Sequence, residues 1–253
     1  MDFDEKKDVS VGGNSPFGTR TADSKSRPSV KFYVYFVEND IQVVGKKMPV
    51  AFFQTPDLKS FELLAEEKTR NIPFTYKALP QLLRFFSVSP DSAEASEMEE
   101  TLKHCDSKAP EGEVARCITS LNSLVDFVRT NFGSDAKLEI LRSSAVAKST
   151  PYVQNYTVMQ AKEVAASNMM ACHFKPYPYP VYYCHYQIGV ENKVFRVSLA
   201  GDNRNRVDAV FVCHMDTSKW SSNFIAFRYL GFKPGDSEVC HFFQATDFVV
   251  VAK

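Results

Sequence analysis

Four Cys-His dipeptides constrain this chain more than any other feature. They are Cys172-His173, Cys184-His185, Cys213-His214 and Cys240-His241, separated by 10, 27 and 25 residues. The chain has six cysteines and five histidines in 253 residues, so most of both sit in this repeated pairing. The fifth histidine, His104, touches Cys105 in the reverse order. Three pairs end or interrupt apolar, β-branched and aromatic runs: Val181-Tyr182-Tyr183, Val210-Phe211-Val212, and Val239 with Phe242-Phe243. Such runs read as strands. Consecutive side chains on a strand point to opposite faces, so each pair sends its thiol one way and its imidazole the other. If these segments are neighbours, the cysteines gather on one face and the histidines on the other. Paired cysteines become disulfides, and gathered imidazoles become metal ligands.

Composition narrows the class. A hydrophobic content of 44% with 24% charged residues is that of a globular chain able to bury a core. A formal net charge of zero leaves no electrostatic footprint for nucleic acid or an anionic membrane. No apolar run reaches the ~18 residues of a spanning helix. Clustered cysteines in even number favour an oxidising compartment. The first residues, with Asp2, Asp4, Glu5, Lys6 and Lys7, hold no apolar signal region. The expectation is a secretory-pathway protein, extracellular or vacuolar, whose targeting segment lies outside this sequence. The sequon Asn155-Tyr156-Thr157 fits that origin. An intracellular zinc-binding module with reduced cysteines is the reading that free thiols would support.

Residues 1–29 are polar and rich in Gly, Pro, Ser and Thr, which reads as a flexible arm preceding a domain over 30–253. Val30 to Val37 reads as a strand, with Ile41 to Val44 pairing back after a turn. From Leu58 to Phe132 the period becomes helical. Asp57 caps a first helix, Leu79 to Val88 forms a second, and Ser89-Pro90 starts an acidic third that reaches Cys105. Gly112-Glu113 introduces a fourth through Val114, Ile118, Leu121, Leu124, Val125 and Val128, ended by Gly133. A Cys105–Cys117 disulfide would pin this helical hairpin. Strands follow at 138–141, 152–159, 179–188, 194–199, 207–214, 224–230, 239–243 and 248–251. The fold expected is α+β, a helical N-terminal half packed on a β-rich C-terminal half.

The spacing of the four pairs resembles the signature of the plant-specific BURP domain family. Supporting segments are Ile72-Pro73-Phe74, Arg116 to Leu121, Tyr177 to His185, Asp216 to Trp220 and Val239 to Phe242. The resemblance spans roughly residues 30 to 253. It implies His173, His185, His214 and His241 as copper ligands, with Cys172, Cys184, Cys213 and Cys240 in structural disulfides of unassigned pairing. Some members of the family are copper-dependent cyclases that oxidatively join side chains of a core peptide, usually with Trp or Tyr at one end of the crosslink. Others are non-catalytic seed, stress-responsive or cell-wall proteins. The expected function is therefore a Cu(II)-dependent oxidative macrocyclase using dioxygen, with a non-catalytic extracellular protein as the alternative. Residues 1–29 hold only Phe3 and Phe17 as aromatics, so the peptide would be supplied in trans or by a segment outside this sequence.

Adjacent Cys and His on a strand cannot easily both reach one ion, and no Cys-x2–4-Cys spacing of a structural zinc site occurs. Imidazoles alone suit Cu(II), and also zinc. They can form one filled site or two sites of about two histidines each. Tyr177, Tyr179, Tyr182 and Tyr183 are candidates to line the pocket. Asp216 is a candidate to orient an imidazole, against its reading as the start of a turn. Trp220 reads as a packing aromatic.

Overall fold

A computed structural model describes residues 34–53, 57–147 and 150–253. The arm at 1–29 and residues 30–33 of the first expected strand lie outside the described residues. The elements in order are α1 (Asn39–Gln42), β1 (Lys47–Ala51), α2 (Glu66–Thr69), α3 (Leu79–Phe85), α4 (Ala93–Asp106), β2 (Glu113–Ile118), α5 (Leu121–Phe132) and β3 (Leu138–Leu141). Then come β4 (Val153–Glu163), β5 (Asn168–Lys175), β6 (Val181–Gln187), β7 (Lys193–Gly201), β8 (Arg206–His214), α6 (Ile225–Leu230), β9 (Val239–Phe242) and β10 (Phe248–Ala252).

The strands make two five-stranded sheets. Sheet I runs β1-β4-β7-β8-β9 and sheet II runs β2-β6-β5-β10-β3. Every pairing within them is antiparallel. The sheets face each other across one apolar layer: Val194, Val210 and Val212 of sheet I meet Leu141, Met169, Ala171, Val249 and Val251 of sheet II, with Phe243 among them. Strict alternation in β8 shows why. Val210 and Val212 enter this shared layer, while Val207, Ala209, Phe211 and Cys213 enter a second core behind sheet I. Phe36, Ile41 and Phe52 close that second core. Behind sheet II, α5 lays Leu124, Phe127 and Val128 over Met170, Tyr182, Phe248 and Val250. A further cluster joins α3 and α4 to Tyr177, Tyr179 and Val181.

This architecture overturns the α+β expectation of a helical N-terminal half. The chain is β-rich, its helices are short, and β1 and β2 place residues of the N-terminal half in both sheets. The expected fourth helix fused two elements. Val114, Ile118, Leu121, Leu124 and Val128 keep helical spacing by coincidence, but Glu113–Ile118 pairs with β6. Helix α5 starts only at Ser120, which forms a reciprocal capping box with Ser123. Gly133 (φ 95°) ends it, as expected. The Cys105–Cys117 disulfide is present, and it ties α4 to β2 rather than one helix to another.

Other boundaries shift for local reasons. Ser92, not Ser89, caps α4, its side chain accepting from the Ala95 N–H. Asp57 caps only a 3₁₀ turn, Leu58–Phe61. Residues 39–42 form α1 instead of a returning strand. The strand expected at 224–230 is α6, which ends at Gly231 in the left-handed conformation (φ 82°). Strands β1 and β5 were not anticipated. Among the described residues no helix is long and apolar enough to cross a membrane.

Candidate metal centre

Each sheet contains one hairpin-like pairing of two Cys-His dipeptides. In sheet II, Cys172 stands directly opposite Cys184, so His173 faces Tyr183 and His185 faces Ala171. In sheet I, Cys213 stands opposite Cys240, His214 faces Val239 and His241 faces Val212. Antiparallel pairing of identical dipeptides has this result: the first residues meet head-on and the second residues become diagonal neighbours on the other face. The thiols close as Cys172–Cys184 and Cys213–Cys240. With Cys105–Cys117 they leave no free cysteine, which removes the reading as a module of reduced thiols.

The cysteines do not share one face of the molecule. Cys172 and Cys184 lie in the core behind sheet II, and Cys213 and Cys240 in the core behind sheet I. The histidines do converge, because the inner faces of both sheets point at each other. Ring centroids are 5.5 Å apart for His173–His185 and 5.6 Å for His214–His241 within the sheets. Across the sheets they are 5.8 Å apart for His185–His214 and 5.5 Å for His173–His241. The four imidazoles form a closed ring, two from each sheet.

Aromatic walls surround the ring. Phe243 lies 5.0 Å from both His173 and His241, two residues beyond the latter on the same strand face. Trp220 sits 5.1 Å from His214, with its other contacts to Phe224 and Phe227, so the packing aromatic also shields the centre. Tyr183 lies 5.5 Å from His185. His104 stands edge-on at 4.3 Å from Tyr183, and the Lys175 ammonium is 5.5 Å from the same ring. The third disulfide explains that placement: Cys117 is the register partner of Tyr183, and its bridge to Cys105 brings the adjacent His104 onto the tyrosine. His173, whose register partner is Tyr183 and which shares its strand face with Lys175, keeps a side-chain exposure of 26% against 12% for His185.

Burial disfavours the charged form of three of the ring imidazoles, His185, His214 and His241. Burial pulls His241 down to about 3, aided by the neighbouring His173. Burial and the adjacent histidines hold His214 well below the usual range. Burial lowers His185 too, opposed by Glu113. His104 falls to about 4 through burial, with Lys175, His185 and His173 repelling its protonated form. Neutral imidazole is the form that binds metal.

Two carboxylates reach the ring from its edges. Asp247 Oδ2 is 3.4 Å from His173 Nδ1, while its Oδ1 accepts the Phe174 N–H at 3.0 Å. Glu113 Oε2 is 3.3 Å from His185 Nδ1 but poorly aligned, leaving that buried nitrogen without a hydrogen bond. The buried Nδ1 of His214 also lacks a partner. Unpartnered buried nitrogens are costly, and a cluster of imidazoles with nitrogens to spare suits a divalent ion that takes nitrogen ligands. The donor set therefore fits copper by its chemistry. Its spacing is open: among the described residues no three His, Cys, Asp or Glu side chains already form a group that could hold an ion.

The remaining sequence candidates are elsewhere. Tyr177 and Tyr179 are fully buried in the helical cluster, against each other and against Phe74 and Phe86. Tyr182 points to the disulfide side, where its hydroxyl donates to the Phe61 carbonyl at 2.6 Å. Only Tyr183 of the four touches the ring. Asp216 is exposed and accepts the Ser218 N–H at 2.9 Å, so it begins a turn. Glu113, Asp247, Phe243, His104 and Lys175 were not singled out as site residues. The reversed His104-Cys105 order and the i, i+2 spacing of His241 and Phe243 were usable signals; Asp247 and Glu113 had none.

Comparison with known proteins adds the kinship. Residues 34–252 match the BURP domain. BURP domain protein USPL1 of Arabidopsis thaliana is 40% identical over 227 residues, covering 87% of this chain and 80% of the relative. BURP domain-containing protein BNM2A of Brassica napus is 38% identical over 228 residues, with coverage of 87% and 80%. BURP domain protein RD22 of Arabidopsis thaliana is 35% identical over 219 residues, covering 85% of this chain and 55% of the relative. With a matching domain over nearly the whole described chain and relatives of this similarity, the chain belongs to the BURP domain family of plant proteins.

Proposed function

We propose that the chain is a copper-dependent oxidative peptide cyclase, with His173, His185, His214 and His241 holding Cu(II). The observation that carries this reading is the closure of four imidazoles, two from each sheet, into one ring from which every thiol is excluded. Copper bound there would supply one-electron chemistry with dioxygen as the oxidant. The residues of the chain prepare the place. Asp247 would accept the Nδ1 proton of His173, turning its Nε2 toward the ion. Phe243 and Trp220 shield the ring from water on two sides. Tyr183, Lys175 and His104 flank the side on which His173 is exposed, where a Trp or Tyr side chain of a peptide would approach. The peptide is supplied in trans or from a segment outside this sequence. Three disulfides are compatible with a secretory-pathway protein, extracellular or vacuolar.

A second reading, a non-catalytic extracellular protein, draws on the same disulfide-stapled sandwich, whose cores do not depend on metal. Copper content with electron paramagnetic resonance decides between them, on the parent and on His→Ala at each of the four positions. Stoichiometric Cu(II) with nitrogen hyperfine structure, reduced by each substitution while the fold persists, supports the first. It justifies assaying Trp- and Tyr-containing peptides for a loss of two hydrogens. A protein that stays copper-free, or binds copper indifferently to all four substitutions, refutes it.

A further inference from the structure

The sequon Asn155-Tyr156-Thr157 occupies β4, and its geometry has a use unrelated to the histidine ring. Alternation along β4 buries Tyr156 and Val158 in the core behind sheet I and turns Asn155 and Thr157 to the opposite face. Asn155 is exposed. Its backbone neighbour across the edge is Pro49 of β1. Its carbonyl accepts the Asp202 N–H at 3.0 Å, and its Nδ2 donates to Asp202 Oδ2 at 3.3 Å. Asp202 is itself anchored by Lys47 at 2.8 Å. The acceptor amide is therefore held out from the sheet on a short, fixed frame.

The site also lies far from the ring. Tyr156 pairs with Gly201 at one end of β7, and Cys213 pairs with Lys193 at the other end. A strand of that length separates them by about 27 Å at the antiparallel rise per residue. A bulky polar group on Asn155 would cover the β1 edge of sheet I, the kind of strand edge that invites unwanted pairing, and leave the histidine ring open.

We infer that Asn155 is an N-glycosylation site, taking its oligosaccharide from a lipid-pyrophosphate-linked donor in the secretory pathway. The Asn155 Nδ2 forms a bond to the anomeric carbon of the sugar and releases one proton. The anomeric C–O bond breaks, and the lipid pyrophosphate leaves with the electron pair. Nδ2 keeps its second N–H, which can still donate to Asp202. The three disulfides are compatible with an oxidising compartment where this transfer occurs, and the inference does not depend on copper.

The test is to express the full chain in plant cells behind a secretory signal, then read glycan occupancy by mass spectrometry of the peptide carrying residue 155, with and without glycan-releasing enzyme. The expected result is a glycan on Asn155 in the parent and in Thr157→Ser, which preserves the acceptor motif. Asn155→Gln and Thr157→Ala should each lose it. Thr157→Ala keeps the Asn155–Asp202 frame, so it reports even if Asn155→Gln misfolds. Copper content of the Thr157→Ala protein should equal that of the parent. A secreted, disulfide-bonded parent whose residue-155 peptide is wholly unmodified overturns the inference.

Discussion

Removing the two sheet-embedded disulfides one at a time tests whether they act as register locks for the histidines. Cys213–Cys240 closes a loop of 27 residues and Cys172–Cys184 one of 12. In the chain-entropy account these closures stabilise by about 3.5 and about 2.8 kcal/mol. All four sulfurs are fully buried, so the cavity left by Cys→Ala is common to both double variants and the ranking rests on the loops. Urea unfolding of metal-free protein, with the slope compared to the parent, should show Cys213→Ala/Cys240→Ala less stable than Cys172→Ala/Cys184→Ala. Copper titration of the same proteins should show weaker binding in both, because each bridge fixes the register that makes one histidine pair diagonal. Cys105→Ala/Cys117→Ala should lose comparable stability to the other 12-residue loop. It should keep copper affinity, since that bridge positions His104 and none of the ring. Losses below about 1 kcal/mol, a reversed ranking, or copper binding untouched by either sheet variant would refute the register-lock reasoning.

Three further outcomes are expected. Stability of the metal-free protein should be full above the ordinary histidine value of 6.5 and fall as the pH drops below it, because the unfolded chain binds a proton that His241, held at about 3, refuses. That imbalance is worth roughly 2 kcal/mol between pH 6.5 and pH 4.5, so urea midpoints should fall over this range, and less so in His241→Gln. Asp247→Asn should weaken copper affinity by about tenfold to a hundredfold with the fold intact; an unchanged isotherm would show that this carboxylate does not orient His173. Ser120→Ala removes the hydroxyl that accepts the Ser123 N–H, one half of the α5 capping box, and leaves the residue-120 N–H donating to Ser123 Oγ; it should cost about 1 kcal/mol in thermal or urea unfolding, without altering copper content.

The repeat of Cys-His on apolar runs carried a large share of the site in plain view. Alternation on a strand is local, so separation of thiol from imidazole within each pair could be derived without any tertiary knowledge. The helix-to-strand change at 113–120 could not. Val114, Ile118 and Leu121 satisfy a helical period, and what breaks it is a hydrogen-bonded partner, β6, more than 60 residues away. Residues 224–230 failed in the opposite direction: Phe224, Ile225 and Phe227 have strand-like chemistry, yet a cluster with Trp220 and Val239 and the left-handed Gly231 hold them as a helix.

Which residues converge was thus written in a short-range pattern: four dipeptides of one order, three of them on apolar runs that read as strands. How they meet was decided only by the sandwich. Two sheets, not one, receive the dipeptides, so the cysteines part to two outer cores while the histidines close a ring between the layers. Tyr183 rather than Tyr177, Tyr179 or Tyr182 joins that ring. Glu113 and the disulfide-held His104 approach it from segments remote in sequence, and Asp247 reaches His173 across 74 residues. Period-2 alternation fixes the face a side chain takes, but only the packing of one sheet on another decides what that face meets.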